Sequence, residues 1–171
     1  MLNLIYMAMN SCIISTITRR KEQTLRDTAA ASSDKTAEKN PKAVPEEILE
    51  ITVHCAEGPC VQGKHMRVAM IPFTGEASGP YFHGRIIGTG TDTQKIRTDN
   101  TFLLSARYML EGRDHTGRDC RIFIENNGTS PDHCVPTIVT DSEALAYWED
   151  ASLFSRVESW GDGVKVHIFT T

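Results

Sequence analysis

The chain has 171 residues, 40% of them apolar and 23% charged, with a formal net charge of −4. That length suits one domain with its own core and is too short for two comfortable ones. The mildly acidic balance, without a stretch of clustered Lys and Arg in the folded part, argues against a nucleic-acid partner, which requires basic side chains to displace phosphate counterions.

Residues 1–17 (MLNLIYMAMNSCIISTI) are apolar, but Arg19, Arg20 and Lys21 follow the run, whereas a secretory signal carries its positive charges ahead of it. The run also falls short of the roughly 20 apolar residues of a spanning helix. Membrane contact is therefore expected only if this segment acts as an anchor. Cytoplasmic residence is the first expectation, with export or tethering as the alternative. Residues 18–46 contain no aromatic side chain and are rich in Ala, Ser, Thr, Lys and Glu. Such a stretch buries too little apolar surface to offset its ordering entropy, so residues 1–46 read as a flexible segment and linker. The folded domain is expected over 47–171.

After Pro45 the pattern alternates. Ile48, Leu49, Ile51 and Val53 interleave with Glu50, Thr52 and His54, close to the period of a strand. His65 to Phe73 predicts a second strand, with Pro72 marking its edge or end because proline cannot donate to a ladder. Tyr81 to Ile87 predicts a third, bent at Gly84. Gly88-Thr-Gly90-Thr-Asp92 reads as a corner leading into Gln94–Arg97. Thr101 to Glu111 and Cys120 to Glu125 flank Asp114-His-Thr-Gly117 and make the best hairpin in the chain. Asn127-Gly128 is expected to end it. Residues 141–150 predict the one short helix, capped by Asp141 or Ser142. Phe154–Trp160 and Val164–Thr170 close the chain as a hairpin across Gly161-Asp162-Gly163.

About eight strands with one short helix and no β–α alternation predict an all-β fold, a single antiparallel β-barrel. An eight-stranded barrel has an interior wide enough for side chains or one small ligand.

The five cysteines, Cys12, Cys55, Cys60, Cys120 and Cys134, form no C-x-x-C pair, and the histidines show no H-x-x-x-H or H-x-H spacing. A metal centre is not expected, and reduced thiols are, although a Cys55–Cys60 bridge across Gly58-Pro59 stays open. The chain lacks a G-x-x-x-x-G-K-[ST] loop and a G-x-S-x-G elbow, so no cofactor is expected.

Candidate site residues come from polar groups beside apolar strands. Asp92 and Gln94 lie two apart and share a face if extended. Arg107 stands between Ala106 and Tyr108, where an enclosed cation needs a partner. Glu125 on the adjacent strand, or Asp92, could meet it. The functional reading is a polar cluster in which Arg107 clamps a carboxylate or carbonyl and Asp92 or Glu125 acts as base or orienter. The plainer reading is a salt bridge fixing barrel register. Tyr81 and His83 share a face with Arg85; turned inward, they add a hydroxyl and an imidazole for acid–base work, and turned outward they are solvated.

Gly79-Pro-Tyr-Phe-His-Gly84, Gly88-Thr-Gly90-Thr-Asp92 with Gln94, Ser105-Ala-Arg107-Tyr108, Gly112-Arg-Asp114 and Ile124-Glu-Asn126-Asn127-Gly128 occur in one order. This array resembles a bacterial family known only as domain of unknown function 3237, over about residues 47–171. The resemblance implies a single antiparallel barrel similar to lipocalin-like and allene-oxide-cyclase-like barrels, and no particular reaction. Thr89 and Thr91 replace common glycines and Thr93 a frequent aromatic, which implies a differently shaped mouth. The expected function is binding of a small organic ligand in a polar pocket. The alternatives are a cofactor-independent lyase, isomerase or cyclase using Tyr81, His83 and Asp92, and a structural or interaction module. Homo-oligomerisation is left open.

Overall fold

The computed structural model describes residues 44–171, so the expectations for residues 1–17, and those for all but the last three residues of the 18–46 linker, lie outside the described residues. Ten strands follow in chain order: β1 (Glu46–Cys55), β2 (Cys60–Gln62), β3 (Met66–Ser78), β4 (Phe82–Ile86), β5 (Gly90–Arg97), β6 (Phe102–Asp114), β7 (Asp119–Ser130), β8 (His133–Thr140), β9 (Leu153–Trp160) and β10 (Gly163–Thr170). All pair antiparallel, and β1 pairs with both β10 and β3, which closes the sheet on itself.

Ten segments make eight barrel positions, because two pairs of strands each share one. β1 and β2 lie end to end along β3, opposite Phe73–Ser78 and Arg67–Ala69 respectively. β4 and β5 likewise lie end to end between β3 and β6, separated by the turn in which Gly88 takes a φ of +65°. Pro72 does not end its strand. Met70 donates to Pro59 O, so the nitrogen two residues on faces the same side, where the 56–59 bulge between β1 and β2 interrupts the ladder.

Alternation places one residue in two inside. Ile51, Val53, Ile71, Phe73, Leu110, Ile122, Ile124, Ile138, Val166 and Ile168 are all buried. One end of the barrel is plugged. The segment between β8 and β9 folds across it and inserts Leu145 and Trp148, both fully buried, against Ile48, Leu49, Phe82 and Leu110. This is the predicted helix, reduced to a single 3-10 turn at Ala146–Trp148 with no side-chain cap. The two capping candidates are committed elsewhere. Asp141 Oδ1 accepts from the Arg121 amide at 2.6 Å, and Ser142 Oγ donates to Asp114 Oδ2 at 2.6 Å.

Two strands escaped the sequence reading, β2 and β8. Pro136 breaks the apparent pattern of β8, yet it is tolerated because the β9 flank of that strand is nearly unpaired, with Cys134↔Ser155 as its single bridge. Asn127-Gly128 is not a turn. It lies inside β7, and a Cβ on Gly128 would meet Cys134 Sγ at 2.5 Å, so the two strands approach there as only glycine allows.

Candidate functional site

The end away from the plug is hollow. A partly open cavity of about 100 Å³ lies there, several times what one water needs. Its wall is mostly apolar, including Val53, Ile71, Phe73, Leu104, Val164 and Val166. Phe73 and Tyr108 meet edge to face at 5.5 Å between ring centroids.

Four polar side chains and two thiols face this space: Asp92 and Gln94 from β5, Tyr108 from β6, Asn126 from β7, Cys55 from β1 and Cys134 from β8. Gln94 Nε2 donates to Asp92 Oδ2 at 2.7 Å. Asp92 Oδ1 and the Tyr108 hydroxyl are enclosed without a hydrogen-bond partner. Asn126 is occupied, since it both donates to and accepts from Ser155 Oγ, at 2.9 and 3.0 Å. That pair joins β7 to β9 across the inside of β8, where the backbone ladder is almost missing.

The electrostatics follow from enclosure. Burial pushes the Asp92 carboxyl above the usual carboxylate range, opposed by the Gln94 hydrogen bond and the Ser105 backbone. Burial also holds the Tyr108 phenol well above its ordinary value. Cys55 and Cys134 are each pushed up to about 11, first by burial and then by the charge of Asp92. Neither thiol is a nucleophile at neutral pH. Cys55 is a free thiol, so the Cys55–Cys60 bridge is not formed.

Of the residues singled out from sequence, the structure brings only Asp92 and Gln94 to the hollow. Arg107 and Glu125 do meet, directly opposite one another on β6 and β7 with Nη2 2.7 Å from Oε1. They do so on the outer face, where the arginine side chain is 56% exposed, so Arg107 does not enter the hollow and Glu125 is not a base within it. The reason is visible along the outside of β6. Leu103 and Met109 are exposed apolar residues on that face, and they made the strand look apolar on both sides of Arg107.

His83 and Arg85 are also on the outer face, with Arg85 paired to Glu111 at 2.9 Å. Tyr81 sits at the plugged end, its ring edge on Trp148 and its hydroxyl donating to Glu46. Tyr108 and Asn126 had passed only as members of longer motifs. The signal for both was the two-residue alternation they share with Leu104, Ala106 and Leu110 or with Ile122 and Ile124.

Outside the hollow, Glu47, Glu50 and His167 bring ligand-type atoms within 4.8 Å of one another. Lys165 Nζ already sits 2.8 Å from Glu50 and His167 Nδ1 2.7 Å from Glu47, which makes this a surface ion-pair cluster. Among the described residues no helix is long and apolar enough to cross a membrane.

Residues 45–158 match the model of a family described as a protein of unknown function, DUF3237. A UPF0311 protein of Clostridium acetobutylicum is 34% identical over 99 residues, which are 54% of this chain and 60% of that protein. The match thus spans less than two thirds of the curated relative. Among solved structures, a protein with unknown function from Clostridium acetobutylicum superposes with a TM-score of 0.64 at 26% identity, covering 74% of this chain and 98% of that one. An enzyme from Penicillium herquei superposes with a TM-score of 0.61 at 16% identity, over 79% and 98% of the two chains. A beta-barrel like protein from Acinetobacter baumannii gives 0.60 at 16% identity, over 78% and 99%. At that identity the last two share the fold alone.

Proposed function

The chain belongs to the DUF3237 family, whose function is unknown, and from that premise we propose that its hollow end binds a small, largely apolar organic molecule through a neutral hydroxyl or carbonyl group. One observation carries the reading. Asp92 Oδ1 and the Tyr108 hydroxyl are enclosed and unpartnered, and both belong to residues that line the same apolar cavity. A buried polar atom without a partner costs on the order of 1–3 kcal/mol, so two beside one cavity argue for a guest that completes them. A carboxyl that holds its proton more tightly than usual can donate as well as accept, which suits a phenol, alcohol or ketone. A purely structural module would require a barrel filled with side chains, and the cavity of about 100 Å³ speaks against that.

A heteronuclear NMR titration with 4-propylphenol tests this. Amide shifts should cluster at Val53, Phe73, Ala106 and Cys134, and Tyr108→Phe should weaken binding about tenfold, roughly 1.4 kcal/mol. Shifts confined to the outer face, or an affinity indifferent to Tyr108→Phe and Asp92→Asn, would end the proposal.

A second reading uses the same carboxyl. With burial raising its affinity for a proton, Asp92 could serve as general acid and base in a cofactor-independent lyase, isomerase or cyclase reaction. The Penicillium herquei relative in fold is called an enzyme, and the proton-transfer role then rests on Asp92 with Tyr108, without His83 or Tyr81. Turnover that persists in Asp92→Asn would exclude it.

A further inference from the structure

Beyond the cavity, the inner surface continues along β2, β3 and β5 toward the mouth. Ala69, Ile71 and Phe73 are buried on the inner face of β3, and Arg67, two residues before Ala69, shares that face. It pairs across the strands with Gln62 on β2 and with Ile96, itself buried, on β5. Its Nη2 is enclosed and has no hydrogen-bond partner. An enclosed guanidinium nitrogen without company is costlier than an orphan hydroxyl, because the group carries charge. The adjoining turn adds two exposed basic-type residues, Lys64 and His65, to the same rim.

We infer that Arg67 is the anion subsite of the hollow, and that the guest is an elongated organic carboxylate whose neutral end reaches Asp92 and Tyr108. The inference rests on the hollow being a ligand pocket and adds the chemical class of the ligand. Asp92 lies opposite Ile71, four residues from Arg67 along β3, or about 13 Å between backbone positions. The arginine side chain takes up part of that span. The remainder matches a molecule the length of a phenol carrying a short acid chain. A carboxylate is the anion whose planar pair of oxygens suits the guanidinium fork, with both hydrogen bonds charge-assisted. The Lys64 ammonium would favour the approach of an anion from this side of the mouth. The cation that the sequence placed at Arg107 is therefore supplied from β3.

The test compares 3-(4-hydroxyphenyl)propanoate with its methyl ester, which has nearly the same shape and no charge. Wild-type protein should bind the acid at least tenfold more tightly than the ester. Arg67→Gln should abolish that preference and leave ester affinity within twofold, while Arg67→Lys retains part of it. A preference that survives Arg67→Gln, or none in the wild type, overturns the anion subsite. In that case ester binding that still responds to Tyr108→Phe leaves the pocket reading standing. If neither probe perturbs residues of the hollow, both proposals fall.

Discussion

At the plugged end Asp114 accepts from the Thr116 amide and hydroxyl, from the Arg118 amide and from Ser142 Oγ, with all four distances between 2.6 and 3.2 Å. At the hollow end Asp92 receives one side-chain bond from Gln94 and keeps its other oxygen enclosed and unpartnered. The two carboxyls belong to one small barrel and are driven in opposite directions. Hydrogen bonds from Ser142 and Thr116 hold Asp114 far below the usual carboxylate range, whereas burial holds Asp92 above it. The plug has its own orphan in Trp148 Nε1, but that indole is packed in the core and is not part of the wall of the hollow. One end is arranged for stability, and the other leaves hydrogen-bonding capacity facing a space.

Substitutions should respond to that division. The largest effect is expected from Trp148→Ala, which empties the plug and should cost about 3–5 kcal/mol in urea unfolding. Leu104→Ala faces an existing cavity and should cost less than half as much. Equal losses at the two positions would mean that the hollow is packed like the plug.

The carboxyls come next, and their pH dependences have opposite signs. Asp114, with its depressed value, adds stability at pH above about 3.9, the unfolded value, and loses it as pH falls through the folded one. Asp114→Ala should lower the thermal midpoint at neutral pH and flatten the acid limb. Asp92, with its raised value, favours the fold below about 3.9 and loses that contribution as pH rises through the folded value. Asp92→Asn should therefore be more stable than wild type at pH 7, with the gain fading toward pH 3. A neutral-pH loss in Asp92→Asn would break the comparison.

The smallest effect belongs to the outer face. Arg107→Ala removes an exposed cross-strand ion pair and should change stability by less than about 1 kcal/mol. It should leave binding of any probe in the hollow unchanged, because its side chain is on the outer face.

Much of this was legible in the amino-acid order, and the failures have identifiable causes. Turns with demanding backbone geometry announced themselves. Gly117 and Gly161 take φ values of 84° and 55° where Asp114–Gly117 and Gly161-Asp162-Gly163 were read as turns. The eightfold barrel count was right through two compensating errors. β4 and β5 were counted separately although they share a position, and β8 was missed because Pro136 sits in its middle. Strand direction was readable, but which face points inward was not when both faces carry apolar side chains, as Met109 and Tyr108 do on β6. Asp92 and Gln94 were found because they are polar residues two apart. Arg67 was passed over because Met66, Val68 and Met70 make the opposite face of β3 the more apolar one, although Met70 is exposed and Ala69 is buried.

The central claim is that an enclosed carboxyl faces an apolar hollow with one oxygen waiting for a guest. The side-chain carboxyl carbon of Asp92 can be followed by NMR as pH is varied, with and without 4-propylphenol. A midpoint above about 3.9 that moves when the phenol is added is the expected result. A midpoint at or below that value, unmoved by the phenol, would show an ordinary solvated or fully paired carboxylate and contradict the account.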